Sequence, residues 1–146
     1  MTHDAQQHMS RDVIVVAPEL DLAGAWRMME RERIRHLVVL RASVLVGIVS
    51  DRDLLARGRL RHGKLEFDEK LVVMEAMSPV PWTCGPTARV SHIAREMVQR
   101  QIDAVPVVDA GGHVLGLVTS SDLLMLLIDQ TDVDTLPFRF RIKYAS

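Results

Sequence analysis

"VGIVSDRDLL" (residues 46–55) and "LGLVTSSDLL" (residues 115–124) set down nearly the same run twice, 69 positions apart. In both, a glycine precedes two apolar residues, a hydroxyl residue follows, an aspartate stands three positions on, and a leucine pair closes. The likeness extends outward. Under a shift of 68 residues Met9-Ser10 falls on Met77-Ser78, Pro18 on Pro86, Ile34 on Ile102 and Val39 on Val107, and one extra residue near Gly111-Gly112 then moves the offset to 69. The chain is therefore two copies of about fifty residues.

Each copy reads in the same order. An apolar run ended by proline, "DVIVVAP" or "VPWTCGP", suits a strand leaving a sheet. A helix follows: Leu22, Ala25, Trp26 and Met29 repeat at helical spacing, as do Val90, Ile93, Ala94, Met97 and Val98. Asp21 is a ready N-cap for the first helix. Arg89 holds the matching place in the second, so Thr87 is the expected substitute. Two β-rich runs come next, joined by Asp109-Ala110-Gly111-Gly112 in one copy and by the weaker turn Arg41-Ala42-Ser43 in the other. A second helix follows each glycine motif, with Leu123, Leu124, Leu127 and Ile128 on one face. The expected class is α+β: two βαββα repeats packed as a pseudo-twofold pair, residues 9–66 with the following linker and residues 74–131. A unit of this size buries only about 60% of its surface alone, so the copies are expected to share a core, with sites in clefts between them.

Composition narrows the function. Of 146 residues 48% are hydrophobic and 25% charged, which is globular, and 18 basic against 19 acidic residues leave a net charge of -1. With only 4% aromatics, the chain lacks the basic excess and stacking residues of a nucleic-acid binder. The polar N-terminus has no apolar signal core, and no apolar stretch is long enough to span a bilayer, so neither export nor a membrane is expected. Cys84 is the one cysteine, which rules out an intrachain disulfide and fits a reducing compartment, the cytoplasm. The six histidines show no metal-ligand spacing, Cys84 has no evident base, and no phosphate-binding glycine loop appears, so neither a catalytic constellation nor a metal site is expected.

The runs "IRHLVVLRASVLVGIVSDRDLL" and "IDAVPVVDAGGHVLGLVTSSDLL" together resemble a tandem cystathionine-β-synthase (CBS) domain pair, or Bateman module, over residues 9 to 130. The resemblance implies a regulatory module that binds an adenosine-containing ligand (AMP, ADP or ATP, in some members another nucleotide or S-adenosylmethionine) with no obligatory cofactor, and that pairs as a homodimer. It departs from the family pattern in copy one, where Val38 stands in place of Pro106.

Ser50-x-x-Asp53 and Thr119-x-x-Asp122 have two physical readings. As capping boxes, the hydroxyl accepts from an amide one turn in and the acid reaches back. As ligand sites, a carboxylate suits the adjacent hydroxyls of a ribose and the helix start suits phosphate. The resemblance assigns Asp53 and Asp122 to ribose, with Ser50 and Thr119 on ribose or phosphate. It places the adenine between Val15, Val16, Ala17 and Leu37 in one copy and Thr83, Cys84, Gly85 and Val105 in the other. Phosphate needs cations: Arg52 lies inside the first motif, with Arg35 and His36 nearby, whereas the second motif carries Ser120-Ser121. The two sites are thus chemically unequal. Glycine at 47 and 116 permits close approach of a backbone.

Residues 57–65, "RGRLRHGKL", are basic and read as a loop, and the tail, residues 132–146, carries an alternating strand in which Phe138, Phe140, Ile142 and Tyr144 interleave with Arg139, Arg141 and Lys143. A ligand-free interaction module, holding a protein partner by its helical faces, is the alternative function.

Overall fold

The computed structural model describes residues 3–79 and 81–130 of the chain; the aromatic tail lies outside them. In chain order the elements are α1 (Ala5–His8), β1 (Val15–Val16), α2 (Leu22–Glu32), β2 (His36–Arg41), β3 (Val44–Ser50), α3 (Asp51–Leu55), β4 (Arg59–Arg61), β5 (Lys64–Glu66), α4 (Val73–Ala76), β6 (Ser78–Pro79), α5 (Val90–Arg100), β7 (Ala104–Val108), β8 (Val114–Thr119) and α6 (Ser120–Gln130). The mixed α+β architecture follows the sequence reading.

The first copy's sheet runs β1-β2-β3-β6, parallel at β1·β2 and antiparallel elsewhere. The second copy repeats the plan on β7 and β8, extended by single bridges Cys84↔Val107 and Ser10↔Leu117. The expected strand in "VPWTCGP" shrinks to that one bridge. Its cause is Pro106: in copy one Val38 N donates to Ile14 O at 3.1 Å, and a proline at the equivalent place has no N–H to give.

Each sheet is closed by the opening segment of the other copy. Ser78 pairs with Ile48 of copy one, and Ser10 exchanges two backbone hydrogen bonds with Leu117 of copy two, 2.9 and 3.0 Å. The motif glycines make room for this crossing. A Cβ on Gly116 would lie 2.6 Å from Met9 Sδ and 2.7 Å from Ser10 O, and one on Gly47 would strike the Met77 side chain. The close approach foreseen at glycine is therefore made by the chain itself.

Three apolar layers result. Leu22, Ala25, Met29, Leu37 and Val49 anchor the first core, and Ala5, Ile93, Met97, Val105 and Val118 the second. Between the sheets, Val38 and Ile48 meet Ala104 and Leu117. The helical stripes are as read, except that Val98 is 78% exposed. On α6 Leu123 packs against the second core; Leu124, Met125, Leu127 and Ile128 face outward, each more than half exposed. Met28 and Met29, by contrast, are taken up by the first core.

Asp21 caps α2, accepting from Gly24 N at 2.6 Å. Thr87 does not cap α5. The Val90 amide instead donates to the His3 carbonyl at 3.0 Å, just as Leu22 N donates to Leu71 O at 3.2 Å, so the crossing segments also satisfy helix-start amides. The basic linker is an ordered hairpin rather than a loop: β4 and β5 pair around His62 (φ 50) and Gly63 (φ 74).

The β2–β3 turn has the same two-residue form, yet it is built from Ala42 (φ 48) and Ser43 (φ 66). Left-handed backbone costs ordinary residues about 1–2 kcal/mol each, and this turn type favours Asn-Gly. The exposed double substitution Ala42→Asn, Ser43→Gly is expected to stabilise the chain by about 1 kcal/mol and raise Tm by roughly 2–4 °C in a calorimetric melt.

Candidate functional site

β3 and β8 each end in a hydroxyl residue that starts a helix, and both motifs form the capping box. Asp53 N donates to Ser50 Oγ at 3.1 Å while Asp53 Oδ2 accepts from Ser50 N at 2.7 Å. In the second copy Asp122 Oδ2 accepts from Thr119 N at 2.7 Å and from Thr119 Oγ1 at 3.0 Å. In each aspartate Oδ1 accepts no hydrogen bond from the described residues, so one oxygen holds the helix start and the other is left over.

Both aspartates line clefts between the sheets. The cleft at Asp122, about 240 Å³, is walled by Thr119 and Ser121 on one side and by Ile14, Ile34, Arg33 and Arg35 on the other. The cleft at Asp53, about 320 Å³, sets Ser50 and Arg52 against Trp82, Ile102 and Asp103. The two are related residue by residue by the 68- and 69-position shifts: Thr119 corresponds to Ser50, Ser121 to Arg52, Ile14 to Trp82, Ile34 to Ile102 and Arg35 to Asp103. Each cleft joins the motif of one copy to the loop before the first hairpin strand of the other.

This places most of the sequence candidates in the clefts and leaves some out. Ser50, Arg52, Asp53, Thr119, Ser121 and Asp122 are brought there, and His36 lines both clefts. Val16, Leu37, Cys84 and Val105 lie in the lobe cores, at most 7% exposed, and Ala17 faces solvent away from the cleft walls. The apolar cleft walls fall two to three residues earlier, at Ile14 and Ile34 and at Trp82 and Ile102. Alternation explains the displacement: side chains in the strands proper point into a core, whereas those just before them still face the gap. Burial also pushes the Cys84 thiol up to about 11, so it carries no thiolate at neutral pH.

Asp103 escaped the sequence reading. It accepts from His36 Nε2 at 3.0 Å and from Arg52 Nη2 at 3.0 Å, tying two side chains of copy one to copy two. The one available signal was the 68-position shift, which sets Asp103 against Arg35 immediately before each strand. Burial raises the Asp103 pKa, but the His36 hydrogen bond and the charges of His36 and Arg52 outweigh it, and the carboxyl is held below its ordinary value. The described residues hold no cluster of metal-ligating side chains and no helix long and apolar enough to cross a membrane.

Comparison with known proteins agrees with this geometry, because the CBS domain family model matches residues 5–59 and 73–129. The chain belongs to the CBS domain family. It is 33% identical over 119 residues to an inosine-5'-monophosphate dehydrogenase of Korarchaeum cryptofilum, covering 82% of this chain and 23% of that protein. It is 32% identical over 102 residues to the transcriptional repressor CcpN of Bacillus subtilis, covering 68% and 47%. The chain thus spans less than half the length of these curated relatives. Among solved structures, the CBS domain pair of protein MJ0100, in complex with 5'-methylthioadenosine and S-adenosyl-L-methionine, superposes with TM-score 0.78 at 25% identity, covering 90% of this chain and all of that one. A putative acetoin utilization protein (AcuB) from Vibrio cholerae gives 0.73 at 27% identity, covering 88% and 93%.

The sign of the Asp103 shift makes a prediction about pH. A carboxyl whose folded pKa is depressed contributes stability above its unfolded value, near 3.8, and loses it as pH falls through the lower folded value. Asp103→Asn is therefore expected to melt below the parent at neutral pH, and the gap to close as the acid limb is descended. Melting curves from pH 7 to pH 2 read this directly.

Proposed function

We propose that this chain is a regulatory module that binds an adenosine-containing ligand, with AMP, ADP or ATP as the nucleotide candidates, in the clefts between its two repeats. Its role is regulatory rather than catalytic, exerted in the cytoplasm on a partner or an attached domain. One observation carries the reading: two clefts equivalent under the internal shift, each bearing a helix-start aspartate with an uncommitted Oδ1. That oxygen has the acceptor chemistry a ribose hydroxyl needs, and the adjoining helix start favours an anion. The ligands held by the similar MJ0100 pair support the adenosine class.

Capping and ribose binding separate experimentally. Ligand at a hundred times its Kd stabilises the fold by about 2.7 kcal/mol, a melting shift of roughly 5–10 °C. Asp53→Ala and Asp122→Ala remove both roles, whereas Asp→Asn keeps an acceptor for the capped amide. At the occupied cleft either change is expected to weaken binding at least about tenfold by calorimetry. Parent-like binding in both single variants and the double variant contradicts the ribose assignment.

The outward face of α6 supports a second element of the proposal, a homodimer. Leu124, Met125 and Ile128 are 60%, 57% and 69% exposed, a contiguous apolar surface of the kind a second copy covers. Light scattering is expected to give twice the 16.4 kDa chain mass, and Leu124→Lys with Ile128→Lys to return it to the monomer value. The same face suits the alternative reading, an interaction module that works without ligand. Absence of any adenosine ligand in the calorimetric series favours that one.

A further inference from the structure

We infer that the two clefts divide adenosine ligands by charge: the Asp122 cleft takes a phosphate-bearing nucleotide, and the Asp53 cleft an adenosine compound without phosphate. This rests on the adenosine reading above and adds which chemistry each cleft admits. The inference begins from a charge reversal at one equivalent position. Immediately before β2 stands Arg35, and immediately before β7 stands Asp103. Two places earlier, the left-handed residue that ends each long helix is Arg33 (φ 53) in one copy and Gln101 (φ 55) in the other. The crossing of the copies delivers both arginines to the Asp122 cleft and both of their counterparts to the Asp53 cleft.

The state of the cations sharpens the contrast. Arg33 and Arg35 form no ion pair with any described residue, and the carboxylates that line the cleft with them are Asp122 and the exposed Asp12. Two uncommitted guanidinium groups beside a helix start form a phosphate site in the making. In the Asp53 cleft both arginines are engaged. Arg52 pairs with Asp103 at 3.0 Å, and Arg100 pairs with Glu96 at 2.6 Å while lying 5.6 Å from the centre of the Trp82 ring. A phosphate entering there meets the carboxylates of Asp53 and Asp103 and must take Arg52 from its partner. A phosphate-free adenosine meets no such opposition and gains Trp82, which replaces the Ile14 of the other cleft with a surface for stacking.

The test uses AMP and 5'-methylthioadenosine, which share adenine and ribose and differ at the 5' position. On the parent chain, calorimetry is expected to show one site per chain for each, and saturation with one to leave the other's binding in place. Arg33→Gln with Arg35→Gln changes two exposed side chains, and it gives position 33 the residue that position 101 already carries in the same conformation. It is expected to weaken AMP at least about tenfold and leave 5'-methylthioadenosine unchanged. Asp53→Asn is expected to do the reverse. Asp103→Asn releases Arg52 and is expected to admit a second AMP per chain, an independent readout should Asp53→Asn prove unstable. AMP bound as in the parent by the double arginine variant, or the two ligands competing for one cleft, overturns the division by charge and leaves the adenosine reading standing. Failure of both ligands to bind the parent overturns both.

Discussion

The backbone pairing of Ser10 with Leu117 and of Ser78 with Ile48 is the constraint on which the rest of the structure depends. Each pairing closes a sheet with the segment that opens the other copy. Neither sheet is complete on its own copy, so the two halves fold as one body even though they read as separate units. The glycine of each motif follows from this. Gly47 and Gly116 sit where Met77 and Met9 cross, and any Cβ would force the crossing segment off the strand. The same segments bring carbonyls to the bare amides of Leu22 and Val90, which is how α5 starts without a capping side chain.

The clefts are a consequence of the crossing. Ser10 and Ser78 stand at the edges of the two clefts because they belong to the segments that close the sheets, and the facing sheets leave gaps on either side of Val38, Ile48, Ala104 and Leu117. Each gap is walled by both copies. A ligand in either one touches both, and a change in the relation of the copies alters its fit. His36 stands at the junction, lining both clefts while its ring is hydrogen-bonded to Asp103 of the other copy. Events in one cleft have a short physical path to the other.

The periodic features of this fold were legible in the sequence, and the long-range ones were not. The repeat, the faces of α2 and α5, the Asp21 cap and the two capping boxes all depend on residues within a turn or two of one another. The crossing segments depend on partners far along the chain: Met9 with Gly116 leaves no local pattern. The contacts of Asp103 leave no local pattern either, since its partners His36 and Arg52 lie in the other copy, and the internal shift alone sets it apart by placing it opposite Arg35. The hairpin of residues 59–66 was read as a loop because its charges concealed the Leu60↔Leu65 pair and its two-residue turn. Val16, Leu37, Cys84 and Val105, which the resemblance assigns to adenine, do not line the clefts. These residues fill the cores, and the cleft walls are made where the strands have not yet begun.

Comparing the copies position by position separates what the fold requires from what it leaves free. The pairs that hold the fold match in kind: Met9 with Met77, Gly116 with Gly47, Ile34 with Ile102, Val39 with Val107, Asp122 with Asp53. Several pairs that differ in chemistry lie on the cleft walls, Arg33 with Gln101, Arg35 with Asp103, His36 with Ala104, Ser121 with Arg52 and Ile14 with Trp82, while others, such as Asp21 with Arg89 and Arg41 with Asp109, lie away from them. The motif aspartates both hold the fold and line the clefts. Oδ2 of each secures a helix start the fold needs, and Oδ1 of each accepts no hydrogen bond from the described residues. The capping box thereby fixes each aspartate side chain in its cleft, so on the proposed reading little conformational freedom remains to be lost when a ligand binds.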